Sequence, residues 1–431
     1  MNYHNAAKRI SMTPEGSDPR SADRVSLLCQ ALSLSLKGLS VVAIHGESGK
    51  SACAAMLSRA LFSRGYRVGA LTTPFSHTMT ECVTVDCLPI STGDFAECVS
   101  RVLEATNTIR TALSNLSDAT EEASDEVSSY EKALRAYLAH ANTFDPFSDE
   151  LLLVAALLHF SNSGCRIAVI EVPCGQRSGA YRLPLHATIN VITATHSLTE
   201  ARRICRLMDK RAKETVTALQ EKEVYDLIAD TCVKMNCRLS MPLRGAFYPA
   251  DFAANRIRFF YKNVSHTLQS GAYYQALNLL TVSEALEALS RQGIAIDPLS
   301  VDFQAPQGNA GVELQFSFLS LHPTIITDFA NTPSRMDSFA ASLSCQSGFL
   351  GKKITVFTER ETENSLPDET VSSCFLSHNI SVNTVIRASV ETVRKDLKPI
   401  VKALTPDESL LILGSRPFVY EATRALYGLL P

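Results

Sequence analysis

Short, uniformly apolar segments that end in turn residues mark the predicted strands of this chain. Three of them, LSVVAIHG (39–46), RIAVIEV (166–172) and ATINVITAT (187–195), carry few polar side chains. Strands of that kind suit the interior of a parallel sheet that is covered on both faces. On either side of the first strand, residues 22–36 and 51–64 repeat apolar positions at the 3.6 spacing of a helix. Strand, glycine turn, helix and strand in this order predict a βαβ unit.

The same alternation resumes in smaller form beyond about residue 300, in PTIITDF, KKITVFT and SLLILGS. The pattern therefore predicts an α/β protein with a large, mostly parallel sheet domain followed by a smaller, Rossmann-like α/β domain. The start of the chain is polar and contains Pro14, Gly16 and Pro19, so we expect it to be an arm or a short extension. The predicted ranges are 1–24 for the arm, 25–298 for the large domain and 299–431 for the small one.

Composition and charge exclude several classes of protein. Hydrophobic residues make up 45% of the 431 positions, enough for buried cores, and the formal net charge is only −3. We therefore expect neither nucleic acid nor a membrane surface as a partner. The longest apolar run, residues 151–160, is about half the ~20 residues of a membrane span. The first 24 residues lack the apolar core of a secretory signal, so we expect a cytoplasmic protein.

The cysteines do not predict a metal centre or a disulfide framework. There are 12 of them, with no CxxC pair and no Cys/His cluster at zinc spacing. In a cytoplasmic protein such cysteines are expected to remain reduced and to pack as small hydrophobic side chains.

The most specific local pattern is VVAIHGESGKSACAAML, residues 41–57. Its glycines permit a tight turn whose amides face a phosphate, and the following helix offers its positive N-terminal end. A lysine supplies a point charge, and a serine hydroxyl could join a Mg²⁺ shell. The predicted phosphate-binding residues of this P-loop-type turn are Gly46, Glu47, Ser48, Gly49, Lys50 and Ser51.

This loop is shorter than the full Walker A pattern. That pattern has a glycine five positions before Gly49, where this chain has Ile44. The alternative interpretation is a glycine turn with a surface lysine and no ligand. The position of the loop after a predicted strand and before a predicted helix favours nucleotide binding.

The sequence around this loop resembles the ATP-dependent amide ligases of the Mur superfamily, most closely the folylpolyglutamate/dihydrofolate synthases. The family's loop of the type GTNGKGS corresponds to HGESGKSA here. Other similar segments follow in family order: SRGYRVGALTTP, Glu150 with LLLVAALLHF, IAVIEVPCGQR, GAYYQALN, IITDFANTP and LLILGSRPFVYEATR. They extend from about residue 25 to 428, so the resemblance covers nearly the whole chain. The order and spacing are specific, whereas each motif alone is weak.

The resemblance implies a P-loop ATP-binding domain, a ligase C-terminal domain and a definite reaction. Such ligases transfer the γ-phosphate of ATP to a carboxylate, and an amine attacks the resulting acyl phosphate. The implied partners are ATP, Mg²⁺, a small carboxylate acceptor and an amino acid, which in the family are folate and glutamate. The carried-over residues are Lys50 and Asp328 for catalysis, residues 46–51 with Gln275 and Asn278 for the nucleotide, and Ser51, Glu171 and His196 for Mg²⁺. Glu171 also ends a buried strand, where α/β folds place ligand-binding groups.

Several family motifs are altered in this chain. The lysine that is carbamylated in the family aligns with Met208, and Lys210 would have to be displaced to replace it. The family's D-H dipeptide is Thr195-His196 here, so His196 is either a metal ligand or a surface histidine. Further departures are Phe75 for a histidine after Pro74, residues 178–182 after Arg177, residues 309–313 without the expected arginine, and Asn331-Thr332 within IITDFANTP.

These departures leave two interpretations from different classes. The first is an ATP- and Mg²⁺-dependent ligase that joins an amino acid to a carboxylate acceptor. The second is a non-catalytic nucleotide-binding or regulatory protein that descends from such a ligase. Losing one preorganised charged contact commonly costs about 10²–10³ in rate, so several losses without replacement would leave little activity. An unrelated P-loop kinase or ATPase is a third, minor alternative.

Overall fold

The structure, a computed structural model, describes residues 1–73, 78–118, 128–141, 143–175, 181, 187–295, 314–360 and 366–428. The chain forms two compact units. The first consists of Met1–Met241 and Glu284–Asp297, and the second of Pro242–Ser283 and Pro298–Pro431.

A mostly parallel sheet forms the centre of the first unit. Its strands are β1 (Ser40–His45), β2 (Val68–Leu71), β3 (Val83–Val85), β4 (Leu88–Pro89), β5 (Ile167–Glu171), β6 (Ala187–Ile192), β7 (Glu214–Thr217) and β8 (Arg238–Ser240). They lie in the order β4-β3-β2-β5-β1-β6-β7-β8, with parallel pairing from β2 through β8 and an antiparallel hairpin of β3 and β4 at one edge. Every residue of β2 and β5 is buried. The three apolar runs described above thus form β1, β5 and β6, as predicted.

Helices pack on this sheet and supply most of the remaining core. They are α1 (Tyr3–Met12), α2 (Ser21–Ala31), α3 (Lys50–Phe62), α4 (Thr92–Asp118), α5 (Ser129–Leu138), α6 (Ser148–Asn162), α7 (Leu198–Leu207) and α8 (Lys222–Lys234). The apolar α6 is buried at nearly every position because it packs against β2 on one side and against α2 and α4 on others. None of the helices in the described ranges has both the length and the apolar character for a bilayer crossing.

The start of the chain, predicted to be an arm or a short extension, packs on the core instead of standing apart from it. It forms α1, whose Ala6 and Ile10 are buried in the same core cluster as residues of α4 and α6. The Tyr3 hydroxyl also accepts a hydrogen bond from the Met79 amide at 3.1 Å. Apolar residues on one face of this short helix bring residues 1–24 into the first unit. The sequence analysis gave more weight to the prolines and the glycine than to this apolar face.

The second unit contains two sheets. The smaller is antiparallel, in the order β11-β10-β9, with strands β9 (Phe247–Ala253), β10 (Arg256–Tyr261) and β11 (Val264–Leu268). The larger has the order β12-β13-β16-β14-β15, with strands β12 (Ser317–Leu321), β13 (Thr324–Asp328), β14 (Lys353–Glu359), β15 (Thr384–Ala388) and β16 (Glu408–Leu413). Only the β12–β13 pair is antiparallel within this larger sheet. Its helices are α10 (Pro333–Ser344), α11 (Asp368–Leu376), α12 (Val393–Ala403) and α13 (Arg416–Tyr427). The predicted fold class is confirmed.

The boundary between the units differs from the one predicted at residue 298. Residues 242–283 cluster with the second unit, although the prediction placed them in the first. One reason is the side chain of Asn255, which donates to the Phe318 carbonyl at 3.3 Å and accepts from the Phe318 amide at 3.1 Å. Between α8 and α10, the helix α9 (Tyr273–Arg291) contributes its first residues to the second unit and the remainder to the first.

Candidate functional site

The candidate phosphate loop lies at the carboxyl edge of the large sheet, between β1 and α3. Strand β1 is flanked by two parallel neighbours, with Ile44 opposite Glu171 of β5 and His45 opposite Ile192 of β6. Because parallel strands end at the same edge, the segments after β5 and β6 lie beside the loop. After β1 the chain continues to β2, which lies on one side of β1 in the sheet. After β6 it continues to β7, which lies on the other side. Open α/β sheets bind ligands where neighbouring connections diverge in this way.

The two loop glycines occupy positions that other residues adopt poorly. Gly46 has a φ of +127°, and a Cβ there would lie 2.2 Å from Thr193 Oγ1 and 3.0 Å from the Thr193 amide and carbonyl. Gly49 has a φ of +86° and precedes the first residue of α3. Both turns therefore need glycine for conformational reasons, and Gly46 needs it for space as well.

The middle of the loop is fixed to the segment after β6. The amides of Glu47 and Ser48 both donate to the Ala194 carbonyl at 3.0 Å. The Glu47 carboxylate in turn accepts from the Ser197 amide at 3.1 Å and from the His196 amide. The first amides of α3 have no acceptor within the helix, so the donors best placed for a phosphate are those at the start of α3.

Lys50 is held at the loop by two contacts. Its Nζ lies 2.8 Å from the Gly46 carbonyl and 2.7 Å from Cys174 Sγ, and the side chain is 8% exposed. The Cys174 thiol also donates to the Gly46 carbonyl at 3.0 Å. The ammonium therefore lies over the loop, as a phosphate-binding lysine requires. The sequence analysis did not select Cys174, although its position three residues after Glu171 places it at this same edge.

Ser51 and Glu171 form the pair that best fits a metal ion. Ser51 Oγ donates to Glu171 Oε2 at 2.8 Å, and Glu171 is 4% exposed. A hydroxyl and a carboxylate are hard oxygen donors, and Mg²⁺ is commonly bound by one or two such groups together with substrate phosphates and water. The third predicted ligand, His196, has an exposed side chain and contacts the loop through its main chain. Within the described ranges, no three His, Cys, Asp or Glu side chains form a metal-binding cluster.

A buried histidine immediately precedes the loop. His45 is 4% exposed, and its Nε2 has no hydrogen-bond partner among the described residues. Burial, together with the charge of Lys50, lowers the pKa of His45 to about 4. The ring is therefore neutral near pH 7 and adds no charge to the site. The main-chain carbonyl of His45 accepts a hydrogen bond from the Thr193 amide at 2.8 Å.

The position of the family's carbamylated lysine belongs to the core in this chain. Met208 follows the last residue of α7, is 3% exposed, and packs among apolar residues of α7 and α8 such as Ile204 and Ile228. Lys210 is exposed on the turn that follows. Met208 therefore supplies no charge, and the ammonium of Lys210 lies outside this core.

Asp328, Gln275 and Asn278 lie in the second unit. Asp328 Oδ2 accepts from the Tyr274 hydroxyl at 2.5 Å and from the Phe316 amide at 2.8 Å. Gln275 is fully buried and donates to Gln315 Oε1 at 2.7 Å. Asn278 donates to Gln275 Oε1 at 3.0 Å, so the two predicted nucleotide ligands form one amide chain on α9. The sequence analysis did not identify the Tyr274 contact with Asp328.

The altered motifs are only partly described. Thr332 caps α10, because its hydroxyl accepts from the Arg335 amide at 3.4 Å, and Asn331 accepts from the Arg335 guanidinium at 3.1 Å. The residues that replace the family's histidine and asparagine thus stabilise a helix start. Predicted features outside the described residues are Pro74 with Phe75, Arg177, residues 178–180, Arg182 and residues 309–313.

Replacing Gly46 with alanine is expected to destabilise the first unit more than the same change at Gly38. Both have positive φ, +127° and +82°, which alone costs an alanine roughly 1–3 kcal/mol. At Gly38 no atom lies within 4 Å of the added Cβ, whereas at Gly46 it would clash with Thr193. Overpacking adds roughly 1–3 kcal/mol more. Urea unfolding of both variants measures the difference, and equal losses would contradict the close packing of the loop.

The titration of Asp328 predicts a characteristic pH dependence of stability. Burial raises its pKa to about 7, against the effect of the hydrogen bonds from Tyr274 and Phe316. An unfolded aspartic acid titrates near ~3.9, so between these values the folded chain holds the proton more tightly. The stabilisation is therefore complete below about pH 4 and is lost as the pH rises through 7.

The variant Asp328→Asn isolates this effect, because an amide resembles the protonated acid and does not titrate. We expect the free energy of unfolding of the native chain, minus that of the variant, to fall between about pH 4 and pH 7 and to level off above that range. The titration of His45 is present in both proteins and cancels in the difference. A difference that stays constant or rises over this range would contradict the raised pKa of Asp328.

Comparison with known proteins identifies solved structures that have a similar architecture. No family model matches the sequence, and no curated protein matches it. Folylpolyglutamate synthetase from Lactobacillus casei superposes with a TM-score of 0.74 at 17% identity, covering 99% of this chain and 100% of that one. Mycobacterium tuberculosis folylpolyglutamate synthase complexed with ADP gives 0.70 at 15% identity, covering 99% and 98%. An FPGS–AMPPCP–folate complex gives 0.76 at 17% identity, covering 99% and 100%.

These similarities extend over the full length of this chain and of the solved structures. At such low identity they establish architecture alone, and the resemblance predicted from the sequence motifs is confirmed at that level. This chain has the fold of the folylpolyglutamate synthases.

Proposed function

We propose that the protein is an ATP-dependent ligase that joins an amino acid to a small carboxylate acceptor. The observation that carries this proposal is the arrangement of Lys50, Ser51 and Glu171 at one edge of the sheet. Lys50 lies over the loop, and Ser51 lies 2.8 Å from a buried carboxylate. A cation beside a hard-oxygen pair at a helix start is the arrangement that binds a nucleoside triphosphate with Mg²⁺.

In the proposed reaction each residue of the loop has a limited, physical role. The amides at the start of α3 and the Lys50 ammonium bind and orient the phosphates of ATP. They also stabilise the negative charge on the oxygens of the transferring phosphoryl group. Ser51 and Glu171 would hold Mg²⁺, which supplies charge neutralisation when it is bound. The acceptor carboxylate takes the γ-phosphoryl group as ADP leaves. The amine then attacks the acyl phosphate, loses a proton and displaces phosphate to form the amide.

The folate class is the proposed acceptor and glutamate the proposed amine. A solved structure with the same fold contains AMPPCP and folate, and another contains ADP. We further propose that the first unit is the ATP-binding domain and that the second unit is the ligase C-terminal domain. Gln275 and Asn278 are the proposed nucleotide contacts, and Asp328 is the proposed catalytic residue. The cluster of Asp328 with Tyr274 supports a specific role, because a buried carboxyl with a raised pKa is typical of functional sites.

A second candidate function rests on a different observation. Met208 packs in an apolar core, and Lys210 is exposed, so the lysine that is carbamylated in the family has no counterpart at Met208. This favours a chain that still binds nucleotide but has lost turnover. The altered Asn331 and Thr332, which cap α10, agree with it.

The release of ADP distinguishes the two functions. The purified chain is incubated with Mg-ATP, L-glutamate and folate, dihydrofolate or a muramyl-type acceptor, with each component omitted in turn. The ligase proposal expects ADP release that requires both the amine and the acceptor. A rise in melting temperature with Mg-ATP, without such turnover, supports the non-catalytic alternative. Absence of both effects contradicts the two proposals together.

A further inference from the structure

Two cysteines flank the turn that ends α8. Cys232 lies in the last turn of α8, and Cys237 immediately precedes β8. The Cys237 amide donates to the Cys232 carbonyl at 2.9 Å, and the Asn236 amide donates to the Val233 carbonyl at 3.1 Å. Asn236 has a φ of +51°. This pair of bonds around one left-handed residue is the Schellman motif, in which the side chains before and after the turn contact each other.

The two thiols are buried in the same core cluster. Cys232 is 1% exposed and Cys237 is 8% exposed, and both are free thiols. The proximity of the two thiols lowers the pKa of Cys237, and together with burial it raises the pKa of Cys232. Cys237 Sγ lies 3.2 Å from Thr215 Oγ1 and donates to the Arg238 carbonyl at 3.7 Å. Cys237 is therefore the thiol of the pair that ionises more readily.

The backbone places the pair within reach of a covalent bond. The bond lengths on either side of the 2.9 Å hydrogen bond limit the two Cα atoms to no more than roughly 7 Å apart. Disulfides span Cα separations of about 4.4–6.8 Å. Since the Schellman turn also directs both side chains to the same place, closure requires little movement of the chain.

We propose that Cys232 and Cys237 are a redox-active dithiol that closes to an intramolecular disulfide when the protein meets a peroxide. The Cys237 thiolate attacks one peroxide oxygen, the O–O bond breaks, and a sulfenic acid forms with release of water. The Cys232 sulfur then attacks the sulfenic sulfur, its proton leaves with the hydroxyl as a second water, and the S–S bond forms. Two thiols are oxidised by two electrons, and one peroxide is reduced. This site is separate from the proposed nucleotide loop in its residues and chemistry.

A third cysteine provides the matched control. Cys205 of α7 is partly exposed and belongs to the same apolar cluster, with its thiol 3.9 Å from the Leu227 carbonyl. It is not part of the Schellman turn. A reaction that depended only on thiol exposure would select Cys205 ahead of the more buried pair, whereas the proposed reaction selects Cys232 and Cys237.

The test uses the intact chain and the position of a trypsin site. Lys234 lies between the two cysteines, so trypsin separates them into the peptides 223–234 and 235–238. The folded protein is treated with hydrogen peroxide, free thiols are blocked with N-ethylmaleimide, and the unfolded chain is digested without reductant. We expect the two peptides to remain joined, with a mass about 2 Da below their sum, and to separate on reduction.

The peptides found in the digests of the native chain and of two serine variants test the proposal. Cys205→Ser should form the linked peptides as the native chain does, and Cys237→Ser should lose them. If the native chain gives two separate, maleimide-labelled or overoxidised peptides, or if Cys205 is the partner in the link, the proposal is wrong. The digest of the native chain gives this answer even if a variant does not fold.

Discussion

Replacing Lys50 with alanine is expected to lower ATP-dependent ADP release by at least about 10²-fold, the usual effect of losing one preorganised charge at a reacting group. Lys50 is the cation that lies over the loop, 2.8 Å from the Gly46 carbonyl. The variant should also lose the stabilisation by Mg-ATP, which for the native chain amounts to about 2.7 kcal/mol at an ATP concentration 100 times Kd. Coupled ADP detection and thermal unfolding with and without Mg-ATP measure the two effects.

The control for this variant is Lys132→Ala, because Lys132 is an exposed lysine on α5. It should behave as the native chain does in both measurements. Stability without nucleotide is compared first, since Lys50 is itself buried and its loss also removes packing. A Lys50→Ala chain that is folded and still stabilised by Mg-ATP to the native extent would contradict the role of this lysine.

The second large effect is expected at a buried ion pair in the first unit. Arg24 of α2 is 2% exposed and Glu150 of α6 is 0% exposed. The guanidinium donates to both carboxylate oxygens, from Nε at 2.8 Å and from Nη2 at 2.7 Å. Arg24 also donates to Asp18 at 3.0 and 3.1 Å, so its charge is shared between two carboxylates. This pair joins two helices that pack on each other beside the sheet.

Replacing Glu150 with alanine should lower the free energy of unfolding by roughly 3–5 kcal/mol, because it leaves a buried guanidinium without its main partner. The double variant Arg24→Met/Glu150→Leu should lose less than the single one, since no unpaired charge then remains. Arg135→Ala is the control, because its bond to Glu131 on α5 is exposed and should contribute only about 0.3–0.5 kcal/mol. Urea unfolding measures all three, and a Glu150→Ala loss comparable to that of Arg135→Ala would overturn this interpretation.

The sequence predicted the large sheet well because its central strands depend little on distant partners. Strands β1 and β5 are short and uniformly apolar, which is typical of strands covered on both faces. The loop after β1 was recognisable for a similar reason, since Gly46, Gly49 and Lys50 are close together in sequence and follow a strand directly. Parallel neighbours then determine that Glu171, at the end of β5, lies beside Ser51.

The features that were not predicted depend on contacts between residues far apart in the sequence. The strands β9 to β11 are half-exposed, so they lack a uniformly apolar run, and their place in the second unit depends on bonds such as those of Asn255 to Phe318. The contact of Lys50 with Cys174 joins residues 124 positions apart. Tyr274 reaches Asp328 across 54 positions. A pattern in one segment does not contain such pairings.

The central claim is that the loop after β1 binds a nucleoside triphosphate beside a Ser51–Glu171 metal site. Calorimetric titration of ATP, with and without Mg²⁺, into the native chain and into Glu171→Gln tests it most directly. We predict saturable binding to the native chain that tightens with Mg²⁺, and a variant that binds metal-free ATP equally well but gains nothing from the metal. Absence of binding to the native chain, or the same gain from Mg²⁺ in both proteins, would contradict the claim.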